Sequence, residues 1–214
     1  MLIEHRNVAN TLCFMQDIYP LDVGDVYLLK TSYTFDVSAT ELFGWFWAGG
    51  RLAILEQGKE GDSRAIADAV DSFDVTHINF VQSMLDAFMR MIEGVELESL
   101  RCVRHLLVAG EAFSPGLSAK TSKAGFRAQV ANLYGPTEAS IYATWFNLAK
   151  DYATGDSVVP IGRPIWNTRI RVLGSGGGLV PVGVPGELCI AGAGLARGYL
   201  NNSELTSRKF VPDP

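Results

Sequence analysis

Three cysteines and three histidines are all that the 214 residues contain. Cys13, Cys102 and Cys189 are odd in number, far apart and never spaced Cys-x-x-Cys. That excludes a disulfide framework or a zinc knuckle and points to a reducing, cytoplasmic setting. His5, His77 and His105 lack metal-ligand spacing, so each is expected to be structural. Long apolar runs are missing as well: Leu42 to Gly50 spans nine residues and is closed by Arg51, against about twenty for a membrane-crossing helix. The opening Met-Leu-Ile-Glu-His-Arg carries no apolar stretch of signal-peptide length. Nor is there a basic stripe, since 18 Lys and Arg against 23 Asp and Glu leave a net charge of −5 with no run of one sign. Neither nucleic acid nor a membrane surface is therefore an expected partner. Gly-x-x-x-x-Gly-Lys-Ser/Thr and Gly-x-Ser-x-Gly are both absent, which removes a P-loop nucleotidase and a nucleophile-elbow hydrolase. Gly174 to Gly178 lacks the Gly-x-Gly-x-x-Gly register and a following helix, so it reads as a hairpin turn.

What is present is a strongly alternating pattern on a 48% apolar chain, long enough to bury a sizeable core. Val8, Leu12, Met15 and Tyr19 recur at helical spacing, and Val26 to Leu29 follows as a strand. Asp36 to Ala48 is almost wholly apolar and stops at Gly49-Gly50, which predicts a buried helix. Arg51 to Leu55 reads as strand, Ile66, Val70 and Phe73 as helix, His77 to Val81 as strand, and Leu85, Phe88 and Ile92 as helix. Val103 to Ala109 is a further strand, Ser114-Pro115 starts a helix, and Ala128 to Leu133 returns as strand. The fold class expected is α/β, a mostly parallel sheet flanked by helices, over residues 1–145. From 146 to 214 short β-branched runs such as Arg169 to Leu173 and Glu187 to Ala191, separated by Gly and Pro, predict a smaller β-rich subdomain.

One segment concentrates polar chemistry. Asn132-Leu133-Tyr134-Gly135-Pro136-Thr137-Glu138 places an amide, an aromatic ring, a tight turn, a hydroxyl and a carboxylate at a strand's carboxyl end. Open α/β sheets bind their ligands at that end. Tyr134 can stack on a base, Asn132 can hydrogen-bond its edge, Thr137 can donate to a phosphate oxygen and Glu138 can hold Mg²⁺. The alternative is an ordinary Gly-Pro turn capped by Thr137, which explains Gly135 and Pro136 but not the cluster of polar groups.

The string resembles the adenine- and magnesium-binding motif of the adenylate-forming superfamily of acyl-CoA synthetases, luciferases and amino acid adenylation domains. Three more strings agree in order. Tyr33-Thr34-Phe35-Asp36-Val37-Ser38 resembles the F-D-x-S motif of nonribosomal peptide synthetase adenylation domains. Val108-Ala109-Gly110-Glu111-Ala112 resembles their adenine-side loop, and Gly186-Glu187-Leu188-Cys189-Ile190 through Gly198-Tyr199 resembles the G-E-L-x-I-x-G-x-G-x-A-R-G-Y motif.

The resemblance implies an ATP-dependent ligase. A carboxylate attacks the α-phosphate of ATP, pyrophosphate leaves, and the acyl-adenylate, with AMP as leaving group, passes to the phosphopantetheine thiol of a carrier protein domain beside neighbouring synthetase domains. It implies that Thr137 and Glu138 act at the phosphates and Mg²⁺, while Gly110, Glu111, Ala112, Asn132, Tyr134 and Gly135 form the adenine slot. Asp36 would pair with the ammonium of an amino acid substrate, a role that competes with simple helix capping. Val37, Thr40, Asn79, Leu107, Ala109, Leu133, Ile141 and Tyr142 would line the side-chain pocket, and Tyr142 on its floor favours a small or polar side chain. The glycine-rich phosphate loop that the family carries upstream, and the ribose-binding aspartate and catalytic lysine that it carries downstream, are not among these residues. The resemblance therefore implies an internal fragment that does not turn over ATP alone. Two other readings are an acyl-CoA or aryl-acid ligase, which would not need Asp36, and a nonenzymatic binding module that keeps the fold.

Overall fold

The computed structural model describes residues 1–92, 100–123, 128–148, 152 and 157–213. Its elements run α1 (His5–Ile18), β1 (Val26–Leu29), α2 (Ser38–Gly44), β2 (Arg51–Ile54), α3 (Ser63–Phe73), β3 (His77–Phe80), α4 (Gln82–Met91), β4 (His105–Ala109), α5 (Pro115–Lys123) and β5 (Gln129–Tyr134). A 3₁₀ turn (Thr137–Ala139), β6 (Thr144–Asn147), β7 (Arg163–Pro164), β8 (Thr168–Leu173), β9 (Glu187–Gly192) and α6 (Ser203–Lys209) follow among the described residues.

Seven strands form one sheet in the order β2-β1-β3-β4-β5-β6-β7, parallel through β5 and antiparallel from β5 to β7. The chain leaves β1 toward β2 through α2, then returns past β1 to β3 through α3. Crossovers of one hand travelling in opposite directions put their helices on opposite faces. One face accordingly buries Ile66 and Val70 of α3, Leu85 and Phe88 of α4 and Leu117 of α5 against Leu28, Ile78, Leu106 and Val108. The other packs Phe14 and Met15 of α1, with Val37, Ala39 and Trp45, against Tyr27, Leu107, Ala109, Ala131 and Leu133. β3 and β4 are buried at every position, which is why their sequences run apolar without alternation. The direction of travel reverses between β1 and β3, and such sheets hold ligands in the crevice at the carboxyl ends beside that point.

Two expectations change here. The apolar stretch from Asp36 to Ala48 is not a buried helix: α2 ends at Gly44, and Phe43, Phe46 and Trp47 are about half exposed. The face that α2 turns inward is its polar one, Ser38, Thr40 and Glu41. Hydropathy alone could not show this inversion, because those three side chains find hydrogen-bond partners inside. The division at residue 145 falls within β6, which pairs with β5 and carries β7 beside it. Independent pairing begins at Thr168, where β8 and β9 form an antiparallel pair of their own. Gly174 to Gly178 is a turn closed by hydrogen bonds from Gly174 N to Gly178 O and from Gly177 N to Gly174 O, each 2.9 Å.

Candidate active site

The crevice between β1 and β3 is floored by a buried polar network. Tyr27 Oη donates to Asn79 Oδ1 at 3.1 Å and lies 3.3 Å from Thr40 Oγ1, while Asn79 Nδ2 donates to Thr40 Oγ1 at 3.1 Å and to Glu41 Oε1 at 3.2 Å. Tyr142, 1% exposed, adds a buried hydroxyl that makes no hydrogen bond of good geometry. Burial first, and then the neighbouring Tyr27, Glu41 and Asp36, hold that phenol well above its ordinary value. Tyr27 is raised for the same leading reason, with the Glu41 charge second.

Asp36 stands half-buried just before α2. The residue at the helix N-cap is Val37, and no side chain caps it, so Asp36 is not the helix cap that the sequence allowed. Its carboxylate makes no hydrogen bond or ion pair among the described residues, although its charge is felt at Tyr142. Leu107, Ala109, Leu133, Ile141 and Tyr142 join one apolar cluster with Val37 packed against it, and Thr40 and Asn79 bond directly. The structure thus gathers the side-chain residues expected from the sequence on the α1/α2 face of the sheet.

The nucleotide-side residues spread along the carboxyl ends of β4 and β5. Gly110, with φ +87°, turns the chain out of β4, and Glu111 and Ala112 follow, exposed. Glu111 accepts from Ser83 N and Ser83 Oγ, both at 2.8 Å, and so ties this loop to the start of α4. Tyr134 ends β5 with its ring open to solvent, and Thr137 is exposed beside it. A side chain at Gly135 would meet Ile141 O at 2.5 Å, so the turn closes only with glycine. Asn132 is held from within the protein. It is 3% exposed, and its Nδ2 donates to Pro160 O at 2.8 Å. Strand alternation puts it on the sheet face opposite Leu133, where its amide group holds the chain leading into β7.

Contacts from distant segments hold the loop that carries Glu138. Glu138 Oε1 accepts from Tyr199 Oη at 2.5 Å, and the Glu138 carbonyl accepts from Ala196 N at 2.9 Å. Hydrogen bonding to Glu138 raises the Tyr199 phenol above its ordinary value. Ser140 and Ile141 both take left-handed backbone angles, φ +58° and +81°, the second costly for a β-branched residue. Thr11 Oγ1 to Ser140 O at 2.8 Å and Ser140 Oγ to Gly194 O at 2.7 Å hold that kink. The glycine-rich segment before Tyr199 is therefore a brace for the loop that presents Glu138, Ile141 and Tyr142. Only the fourth motif in the sequence pointed toward it.

His77 and His105 lie side by side on β3 and β4, ring centroids 4.5 Å apart, with Tyr19 edge-on to His105. Burial pushes them down to about 3 and about 4, and His105 adds to the effect on His77, so both rings are neutral core groups. No group of three or more His, Cys, Asp or Glu able to hold a metal occurs among the described residues. No helix among them is long and apolar enough to cross a membrane.

Comparison with known proteins adds to this geometry. The family model described as AMP-binding enzyme matches residues 1–200. A linear gramicidin synthase of Brevibacillus parabrevis is 48% identical over 214 residues, covering 100% of this chain and 4% of that protein. Polyketide synthase PksN of Bacillus subtilis is 45% identical over 216 residues, with the same coverage of 100% and 4%. The chain thus spans a small part of the curated relatives it matches. Among solved structures, the nonribosomal peptide synthetase FmoA3 in its α-methyl-L-serine-AMP-bound form superposes with a TM-score of 0.91 at 25% identity, over 98% of this chain and 24% of that one. The N-terminal subdomain of Klebsiella oxytoca NpsA, in complex with 3-hydroxyanthranilyl-AMSN, gives 0.83 at 28% identity over 99% and 53%.

Proposed function

From the premise that the chain belongs to the AMP-binding enzyme family, we propose that it supplies the substrate and adenine sites of an adenylation domain that activates an amino acid for nonribosomal peptide synthesis. The observation that carries this reading is Asp36: a half-buried carboxylate with no partner among the described residues, above a closed polar floor. An amino acid brings an ammonium that needs a counter-charge once water is excluded, and a free carboxylate at the mouth of the crevice supplies it.

In this reading Asp36 fixes the ammonium and thereby orients the substrate carboxylate, while Thr40, Asn79, Leu107, Leu133 and Tyr142 bound its side chain. The carboxylate attacks the α-phosphorus of ATP and pyrophosphate leaves, so the chemistry asks the protein for positioning and charge stabilisation rather than a nucleophile. Tyr134 offers its exposed ring to the adenine, with Gly110 to Ala112 along its edge, and Thr137 offers an exposed hydroxyl donor to the phosphates. Glu138 fits a Mg²⁺ role, since Tyr199 holds one carboxylate oxygen and the other makes no hydrogen bond among the described residues. Bound Mg²⁺ would neutralise phosphate charge. Transfer then proceeds to the phosphopantetheine thiol of a carrier domain.

The test is amino-acid-dependent pyrophosphate exchange by the full-length protein carrying Asp36→Ala. Loss of a buried charge partner is worth about 3–5 kcal/mol, several hundredfold or more in specificity. Activity with α-amino acids should collapse while that with matching des-amino acids changes little. Unchanged amino acid activation would remove Asp36 from the site, and a wild-type preference for des-amino or aryl acids would favour the acyl or aryl ligase reading.

A further inference from the structure

We propose that Glu41 is a positioning residue for amino acid recognition, one buried anion that sets both the segment carrying Asp36 and the amide of Asn79; the proposal rests on the ammonium-binding reading of Asp36. Glu41 is fully buried on the inward face of α2. Its Oε2 accepts from Lys30 N at 3.0 Å and Thr31 N at 2.9 Å, and its Oε1 from Thr31 Oγ1 at 2.7 Å and Asn79 Nδ2 at 3.2 Å. Four donors meet the four lone-pair sites of an ionised carboxylate, and a protonated one could not accept them all.

Those donors sit where recognition needs them. Lys30 and Thr31 lead out of β1 into the exposed run Ser32 to Phe35 that brings the chain to Asp36. The far end of the same run is held by α2: Ser38 Oγ donates to Phe35 O at 2.6 Å and Thr40 Oγ1 to Val37 O at 2.8 Å. With Glu41 holding one end and Ser38 and Thr40 the other, one short helix grips both ends of an otherwise solvent-facing loop. The remaining donor, Asn79, is turned so that Nδ2 faces Glu41 and Thr40, which leaves Oδ1 to Tyr27. An acceptor-only partner decides which way that amide points into the pocket.

Packing alone does not call for this arrangement. The Lys30 ammonium, also buried, donates to Met84 Sδ at 3.2 Å and lies 4.5 Å from the Phe80 ring centroid; burial pushes the Glu41 carboxyl above its ordinary value, and the Lys30 charge offsets part of that without a bond. Two buried charges without direct contact are an expensive way to fill space. The hydrogen bonds of Glu41 run instead to Lys30 and Thr31, at the start of the run that leads to Asp36, and to Asn79.

The experiment uses the full-length protein and pyrophosphate exchange, with Michaelis constants for amino acid and ATP measured separately per folded molecule. Glu41→Gln turns an N–H group toward donors, and Thr31→Ala removes a single hydrogen bond and keeps the fold if the first variant does not. The amino acid KM should rise about tenfold to a hundredfold in Glu41→Gln and severalfold in Thr31→Ala, as loss of one or a few buried hydrogen bonds implies. The ATP KM should stay within about twofold, and preference for the α-amino over the des-amino acid should fall. Parallel rises in both Michaelis constants, or a lower kcat with an unchanged amino acid KM, would mean a structural role and overturn the proposal. If Asp36→Ala abolishes the amino preference but neither Glu41→Gln nor Thr31→Ala moves it, the positioning role alone fails. If Asp36→Ala leaves that preference intact, the ammonium reading fails and the positioning role with it.

Discussion

The parallel strands β1 to β5 and the antiparallel pair β8–β9 are sheets of different kinds. In the first, helices cover both faces, and every residue of the central strands β3 and β4 is buried. In the second, most positions are half-buried, and one side borders a groove of about 500 Å³ that reaches Glu138 and Tyr199 through Leu173, Cys189, Ile190 and Phe210. No member of β8 or β9 belongs to either hydrophobic cluster. What joins the pair's neighbouring segment to the main sheet is polar: Asn7 Nδ2 to Ala193 O, Ser140 Oγ to Gly194 O, Ala196 N to Glu138 O and the Arg197–Glu4 ion pair. The main sheet owes its stability to burial and the hairpin side to a few directional bonds, which end on the loop of Glu138 to Ser140, on α1 and its cap, or on Leu2. Stability and site geometry can therefore be perturbed separately.

The largest effect should come from the buried side. Leu106→Ala, in the middle of β4 at 1% exposure, should lower stability by about 2–5 kcal/mol in urea unfolding. The matching Ile190→Ala in half-buried β9 should lose about 1 kcal/mol. Equal losses would break the contrast between the two sheets.

Acid should act on the same buried side. His77 and His105 are held neutral in the fold, down to about 3 and about 4, against about 6.5 for a free imidazole. Below pH 6.5 the unfolded chain binds more protons than the folded one, so stability is lost as pH falls toward 4 and then 3. The loss approaches about 1.4 kcal/mol per pH unit for each fully shielded ring, less for the more open His105. His77→Phe should remove about half of the drop in Tm between pH 7 and pH 4.5, read by circular dichroism. An undiminished drop would place the acid response elsewhere.

The smallest effect probes the brace. Ser140→Ala deletes the bond to Gly194 O and should cost about 1–2 kcal/mol, while releasing the glycine-rich segment next to the site. Limited proteolysis within 192–199 should speed up several times more than cleavage elsewhere. A uniform change would show that the brace is not local.

The motifs of the candidate site could be read from the chain because they sit where strands end. Leu107, Ala109, Leu133, Ile141 and Tyr142 come from the resemblance, matched position by position to the family, and in the fold they share one cluster. Asn132 lies on the expected strand, and its residue type does not reveal that its amide meets the Pro160 carbonyl. Tyr27 and Glu41 carried no motif at all, although they hold the pocket from beneath.

Apolar spacing by itself determined the alternation of helices and strands, the parallel sheet they imply and the hairpin turn at Gly174 to Gly178. These depend on the period of side chains along one segment and on turn chemistry within a few residues. Only the tertiary structure decided that α2 faces inward with Thr40 and Glu41 rather than with its aromatic residues, that β6 and β7 extend the first sheet, and which groups satisfy the buried polar atoms. The deciding contacts join residues far apart in the chain: Asn79 and Glu41 are 38 positions apart, Ser140 and Gly194 54, and Tyr199 and Glu138 61. A buried polar group must find a partner wherever the fold brings one, and no local pattern in the chain records which partner that will be.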